Sequence, residues 1–132
     1  MAGGLGVAGS INAGNSINAG ANVSGIALIN LNGVYGTAPV TKTGTSGTIA
    51  NSETSVIFNP SGTYTATLPA ASSHTGKTIY VKSIAAQTIN SASSNIVPRN
   101  SATAGTALLA SGAGNWAQLV SDGTNWVIMA GS

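Results

Sequence analysis

Side-chain acid–base chemistry in this chain would have to come from one histidine, His74, and two carboxylates, Glu53 and Asp122. A glycosidase places two carboxyl groups astride the bond it cleaves, and the single pair here lies far apart in sequence. A Ser-His-Asp relay would have to join His74 to Asp122, which stands in the turn-forming run SDGT. One imidazole and two acids make a thin metal-binding set. With no cysteine there is neither a thiolate nucleophile nor a disulfide framework. The expectation is a protein that is not an enzyme, with no catalytic, cofactor-binding or metal-binding residues.

Two glycine-containing stretches imitate phosphate-binding loops. ASSHTGKT, residues 71–78, fits the loose phosphate-loop pattern with alanine for the first glycine. Such a loop follows a strand and opens a helix whose amides hold the phosphates, yet TIYVKSI alternates like a strand, so a turn is expected here. Gly4, Gly6 and Gly9 fit G-x-G-x-x-G without the flanking strand and helix that the dinucleotide fingerprint requires. NVS at 22–24 is a glycosylation acceptor pattern that means nothing without a secretory signal.

Charge narrows the partners. Only 5% of the residues are charged, against about 25% in ordinary domains. Lys42, Lys77, Lys82 and Arg99 are dispersed, whereas a nucleic-acid binder presents a basic stripe. The opening MAGGLGVAGS lacks the basic start and apolar run of a signal peptide, and no stretch approaches the ~20 apolar residues of a spanning helix. The expectation is an unprocessed chain with no membrane insertion. A 42% hydrophobic share with many β-branched residues marks a folded chain rather than a disordered one.

The elements that would position these residues are extended. Leu5, Ile11, Ile17, Val23 and Ile29 recur every six residues, a spacing that scatters around a helix but keeps one face of a strand. Five hexads give fewer than two turns of a hexapeptide β-helix, too few to stand alone. The alternatives are winding around a threefold axis with two other copies, docking as an arm on another protein, or a loose glycine-rich tail. The Gly/Thr-rich 34–50 stretch reads as a linker or loose edge segment. Beyond it, strands are expected at 54–59, 63–68, 77–84, 87–90, 95–97, 106–110, 115–120 and 125–130, with hairpin-type turns at NPSG (59–62) and SDGT (121–124). In the 115–120 strand, Ala117 and Leu119 share one face and Trp116, Gln118 and Val120 the other. Trp116 and Trp126 are expected chiefly as core anchors.

TLPAASSHTGKTIYVKS (67–83), INSASSNIVP (89–98) and AGTALLASGAGNWAQLVSDGTNWVIMAG (104–131) carry a resemblance. From about Phe58 to the C-terminus the chain resembles the distal β-domain of tail fibres and tailspikes of tailed bacteriophages. W-x-x-L-x-S-D-G-T-N-W at 116–126 is its most specific element. The resemblance implies a trimeric β-sandwich in a virion. Five hexads in place of a long shaft give a layout that looks like that of trimeric capsid decoration (cement) proteins, which reinforce the outer shell at threefold positions. The expectation is therefore an all-β homotrimer: an extended arm (1–33), a linker (34–50) and an antiparallel β-sandwich or jelly-roll-like domain (51–132). It would sit on the outer capsid, with Leu5, Ile11, Ile17, Val23 and Ile29 against the major capsid protein or the other copies. The alternative is a short tail fibre or tail-associated receptor-binding protein that adheres to host surface glycan, with Trp126 or Tyr80 as a sugar-stacking platform.

Overall fold

Period-two alternation governs the backbone. Strand β5 (Thr78–Ser83) buries Ile79, Val81 and Ser83 and turns Tyr80 and Lys82 outward, and β9 (Trp116–Ser121) buries Ala117, Leu119 and Ser121. The computed structural model describes residues 38–132. Among them are eight further strands: β1 (Val40–Lys42), β2 (Ser46–Thr48), β3 (Ser55–Phe58), β4 (Tyr64–Thr67), β6 (Ile89–Ser91), β7 (Ile96–Val97), β8 (Ala107–Leu109) and β10 (Trp126–Gly131). One 3₁₀ turn, Ala71–Ser73, interrupts them, and the described residues contain no α-helix. All eight strands expected from the sequence are present. The expected arm, with Leu5, Ile11, Ile17, Val23 and Ile29, lies outside the described residues.

The strands form a six-stranded sheet, β1-β3-β5-β9-β10-β7, and a four-stranded sheet, β2-β4-β6-β8. Successive strands from β1 to β6 alternate between the two sheets. In-sheet neighbours are thus second neighbours along the chain and run parallel: β1 with β3, β3 with β5, β2 with β4, β4 with β6. The pairing of β10 with β7 is parallel too. Only β5–β9, β9–β10 and β6–β8 are antiparallel. This corrects the antiparallel expectation: the sheets are mixed. NPSG, expected as a hairpin turn, carries the chain from β3 in one sheet to β4 in the other. SDGT does close a hairpin, β9–β10. The 34–50 stretch is no mere linker, since it supplies the first strand of each sheet.

The two sheets share one core. Inward rows run across the strands in register, Val40–Val56–Val81–Ala117 in the larger sheet and Gly47–Ala66–Ser91 in the smaller. Trp126, Tyr64, Phe58, Ile79, Ile89 and Leu119 fill the space between them. Phe58 and Tyr64 come from opposite sheets and meet with ring centroids 5.1 Å apart, tilted by 55°. Gly47 is small for a reason: a β-carbon there would collide with the Tyr64 hydroxyl. Polar groups taken into this core are satisfied. The Trp126 indole N–H donates to the Pro69 carbonyl at 2.9 Å, and the Ser121 hydroxyl donates to the Ala71 carbonyl at 2.8 Å.

Lys42, at the end of the first edge strand, reaches Glu53 in the loop before β3. Its ammonium donates to Oε1 at 2.8 Å, and the Ala50 N–H donates to Oε2 at 3.0 Å. Burial pushes the Glu53 pKa up, but the Lys42 hydrogen bond, the Ala50 amide and the charges of Lys42 and Lys77 outweigh it. The carboxyl ends below its ordinary 4.5. A depressed carboxylate stabilises the fold above its unfolded pKa and stops doing so as pH falls through the lower folded value. Asp122, held down by the amides of Asn125 and Thr124, acts in the same direction. Thermal stability is therefore expected to be flat from neutrality to about pH 5 and to fall below about pH 4.5. Glu53→Gln should shrink the acid limb without abolishing it. An unchanged pH profile by differential scanning fluorimetry would discount the Lys42–Glu53 pair.

Candidate functional site

The groups that could do acid–base chemistry are dispersed and engaged. His74 caps the 3₁₀ turn, with Nδ1 at 2.9 Å from the Ala70 carbonyl oxygen. Asp122 accepts from the amides of Thr124 and Asn125 at 2.7 and 2.6 Å, and Glu53 is taken by Lys42. No three metal-ligating side chains cluster among the described residues. ASSHTGKT is a turn that runs into β5, a strand, with no helix N-terminus to hold a phosphate.

The outer surfaces of the two sheets differ in kind. On the four-stranded sheet the outward row is Ser46–Thr65–Asn90–Ala107, with Thr48 beside Thr67. This is a hydroxyl-rich face that water solvates and that cross-strand threonine pairs stabilise. The six-stranded sheet turns out three rows of another composition. They are Thr41–Ile57–Lys82–Trp116, Ser55–Tyr80–Gln118–Ala130 and Thr78–Val120–Val127–Val97. Tyr80 is 51% exposed and Trp116 41%. Met129, in the irregularity of β10 opposite β9, is 61% exposed.

These rows form two zones. The valine row crosses β9, β10 and β7 as an aliphatic strip of half-buried side chains. Across β3, β5 and β9 the surface dips into a groove of about 410 Å³, lined by Ser55, Ile57, Tyr80, Lys82 and Trp116. Lys82 stands between Ile57 and Trp116 in register, with Tyr80 two residues before it on the same face. Trp116 also walls a neighbouring cavity of about 440 Å³ beside β8, lined by Arg99, Asn100, Leu108, Ile128 and Ser132.

Of the two expected platform residues, Tyr80 is exposed beside a groove. Trp126 is not: it is 0% exposed and hydrogen-bonded inside the core. This corrects its assignment, because a stacking platform needs a free ring face. Trp116, expected chiefly as a core anchor, is instead part-exposed at the groove beside Tyr80. The signal was in the alternation, which put Ala117 and Leu119 on one face and therefore Trp116 on the other. Arg99 follows a two-residue strand and Pro98, where no periodicity is long enough to assign a face.

The most specific sequence element, 116–126, is mostly a folding device. Leu119 is core, and Ser121 ties the hairpin to the 3₁₀ turn. The Asp122 carboxylate closes the turn onto two amides. Gly123 has φ +93°, and a β-carbon there would crowd the Thr75 hydroxyl. Of the outward strand residues in this element, Trp116, Gln118 and Val120, only Trp116 is aromatic and exposed rather than half-buried. No protein-family model, curated protein or solved structure matches the chain.

Proposed function

We propose that this chain is a structural protein of a phage virion, a homotrimeric decoration protein that binds the major capsid protein and stabilises the outer shell. The observation that carries this reading is the two-sided surface of the domain: a hydroxyl-rich sheet face opposite an aliphatic and aromatic one. Such a domain lies against another protein on one side and faces water on the other. The resemblance of the 67–131 region to fibre-tip domains supports the virion.

Area bears on how the protein attaches. Six strands about 4.8 Å apart and about 20 Å long give a face of at most about 600 Å². That falls short of the ~800 Å² per partner of a stable interface. The hexad residues Leu5, Ile11, Ile17, Val23 and Ile29 supply the remaining apolar contact in this reading. Three arms on one trimer make weak docking firm through effective concentration, and bound protein shifts the shell towards its mature form by mass action. With so few charges, adjacent trimers repel little.

Quantitative mass spectrometry of purified virions should count hundreds of copies relative to the major capsid protein. A few to a few dozen copies would move the chain to the tail. In the full chain, Ile11→Ser, Ile17→Ser and Val23→Ser together should abolish capsid attachment. Unimpaired attachment would end the arm model.

A second reading, a tail-associated receptor-binding protein that adheres to host glycan, is favoured by one observation. Tyr80 and Trp116 present partly exposed rings at a groove that also holds Lys82.

A further inference from the structure

The two grooves that meet at Trp116 each hold a cation with no ion-pair partner among the described residues. Of the four cationic side chains, Lys42 pairs with Glu53, and Lys77 donates to the Asn51 carbonyl. Lys82 and Arg99 make no ion pair among the described residues. The chain has only two carboxylate side chains; Glu53 is held by Lys42 and Asp122 by its own turn. Both remaining cations are exposed and line grooves whose other walls are mainly aromatic and aliphatic, with a few neutral polar groups. An anion with a flat apolar face fits this combination.

The occupant can be narrowed by size and by charge density. The sheet face is too small for a protein partner by itself, whereas about 410 Å³ falls in the range of small-ligand pockets. Two cations are few for a nucleic acid, whose affinity comes from neutralising about six to ten phosphates. A pyranose has a C–H face that stacks on an indole or phenol, and its hydroxyls need neutral partners. Ser55 in one groove and Asn100 in the other provide them.

We infer that the Tyr80–Lys82–Trp116 groove binds an acidic saccharide. One sugar ring stacks on Trp116, its carboxylate meets Lys82, and a second acidic unit beyond Trp116 meets Arg99. The inference rests on the receptor-binding reading, in which this sheet face is open rather than docked on the capsid, and adds to it the charge class of the ligand.

The test uses the full chain, titrated calorimetrically with oligomers of sialic acid and of galacturonic acid, with dextran of matched length as the neutral probe. At least one acidic oligomer should bind about tenfold or more tighter than dextran. Lys82→Gln with Arg99→Gln should remove that advantage, and Trp116→Ala should weaken binding about tenfold or more. Thermal unfolding should barely move for the exposed Lys82 and Arg99, and by no more than about 4–8 °C for the part-exposed Trp116. Equal affinity for dextran, with the double variant unchanged, overturns the acidic inference and leaves the glycan reading standing. No saccharide binding at all removes both. Tighter binding to oligothymidylate or polyphosphate than to either acidic sugar overturns the inference in favour of a general polyanion site.

Discussion

Trp126→Ala should destabilise the domain by about 3–5 kcal/mol, the cost of emptying a large aromatic site in a packed core. Trp126 is the largest fully buried side chain among the described residues. It stands at the start of β10, pairs with Ser121 across the hairpin and borders β7 through Ile96. Its truncation loosens three strands at once and strips the buried Pro69 carbonyl of its donor. Domains of this size are stable by about 5–15 kcal/mol, so the variant would lose a large share of its stability. Trp116→Ala, ten residues earlier in the same sequence element, should cost within about 1 kcal/mol because its ring is part-solvated. Urea unfolding followed by far-ultraviolet circular dichroism distinguishes the two without relying on indole fluorescence. Equal losses for the two variants would refute the division of this element into a buried anchor and an exposed platform.

The second large effect belongs to Phe58→Ala, also about 3–5 kcal/mol. Phe58 is fully buried at the end of β3, where the chain leaves one sheet for the other, and its ring meets Tyr64 at the start of β4. The pair therefore joins the two sheets at the crossing between them. Tilted aromatic pairs add about 0.5–1.5 kcal/mol beyond their buried area. A double-mutant cycle of Phe58→Leu with Tyr64→Leu should return a coupling in that range. Losses that add to within about 0.3 kcal/mol would reduce the contact to ordinary burial. Gly47 belongs to the same arrangement, since only its missing side chain leaves room for the Tyr64 hydroxyl.

Local pattern determined where the chain extends. Every strand from β3 to β10 was legible, because alternation in TSVIF, TIYVKS or WAQLVS fixes both the conformation and the inward face. The β9–β10 hairpin was legible for a related reason: SDGT carries its own turn chemistry in Asp122 and Gly123. The first two strands were harder to see. β2 points Gly47 inward, so its buried face has no side chain to read, and β1 is three residues long. Charge was legible as a count but not as a location. Nothing in the sequence says that Glu53 is spent on Lys42 while Lys82 and Arg99 are left facing the two grooves at Trp116.

What only the tertiary structure decided was which strand lies beside which. A proline-glycine turn such as NPSG reverses a chain equally well within one sheet or between two. The choice depends on where the flanking side chains find their core. Phe58 and Tyr64 bury best against each other across the gap, so the chain crosses it. The strands then stack in parallel as second neighbours, and hairpins are confined to the C-terminal half. That stacking sets Ile57 beside Lys82, and the antiparallel β5–β9 pairing adds Trp116, distant in sequence, to the same row. The same cause removed Trp126 from the surface. An alternating strand gives one of its faces to the core, but only the assembled sheets determine how completely the other is covered.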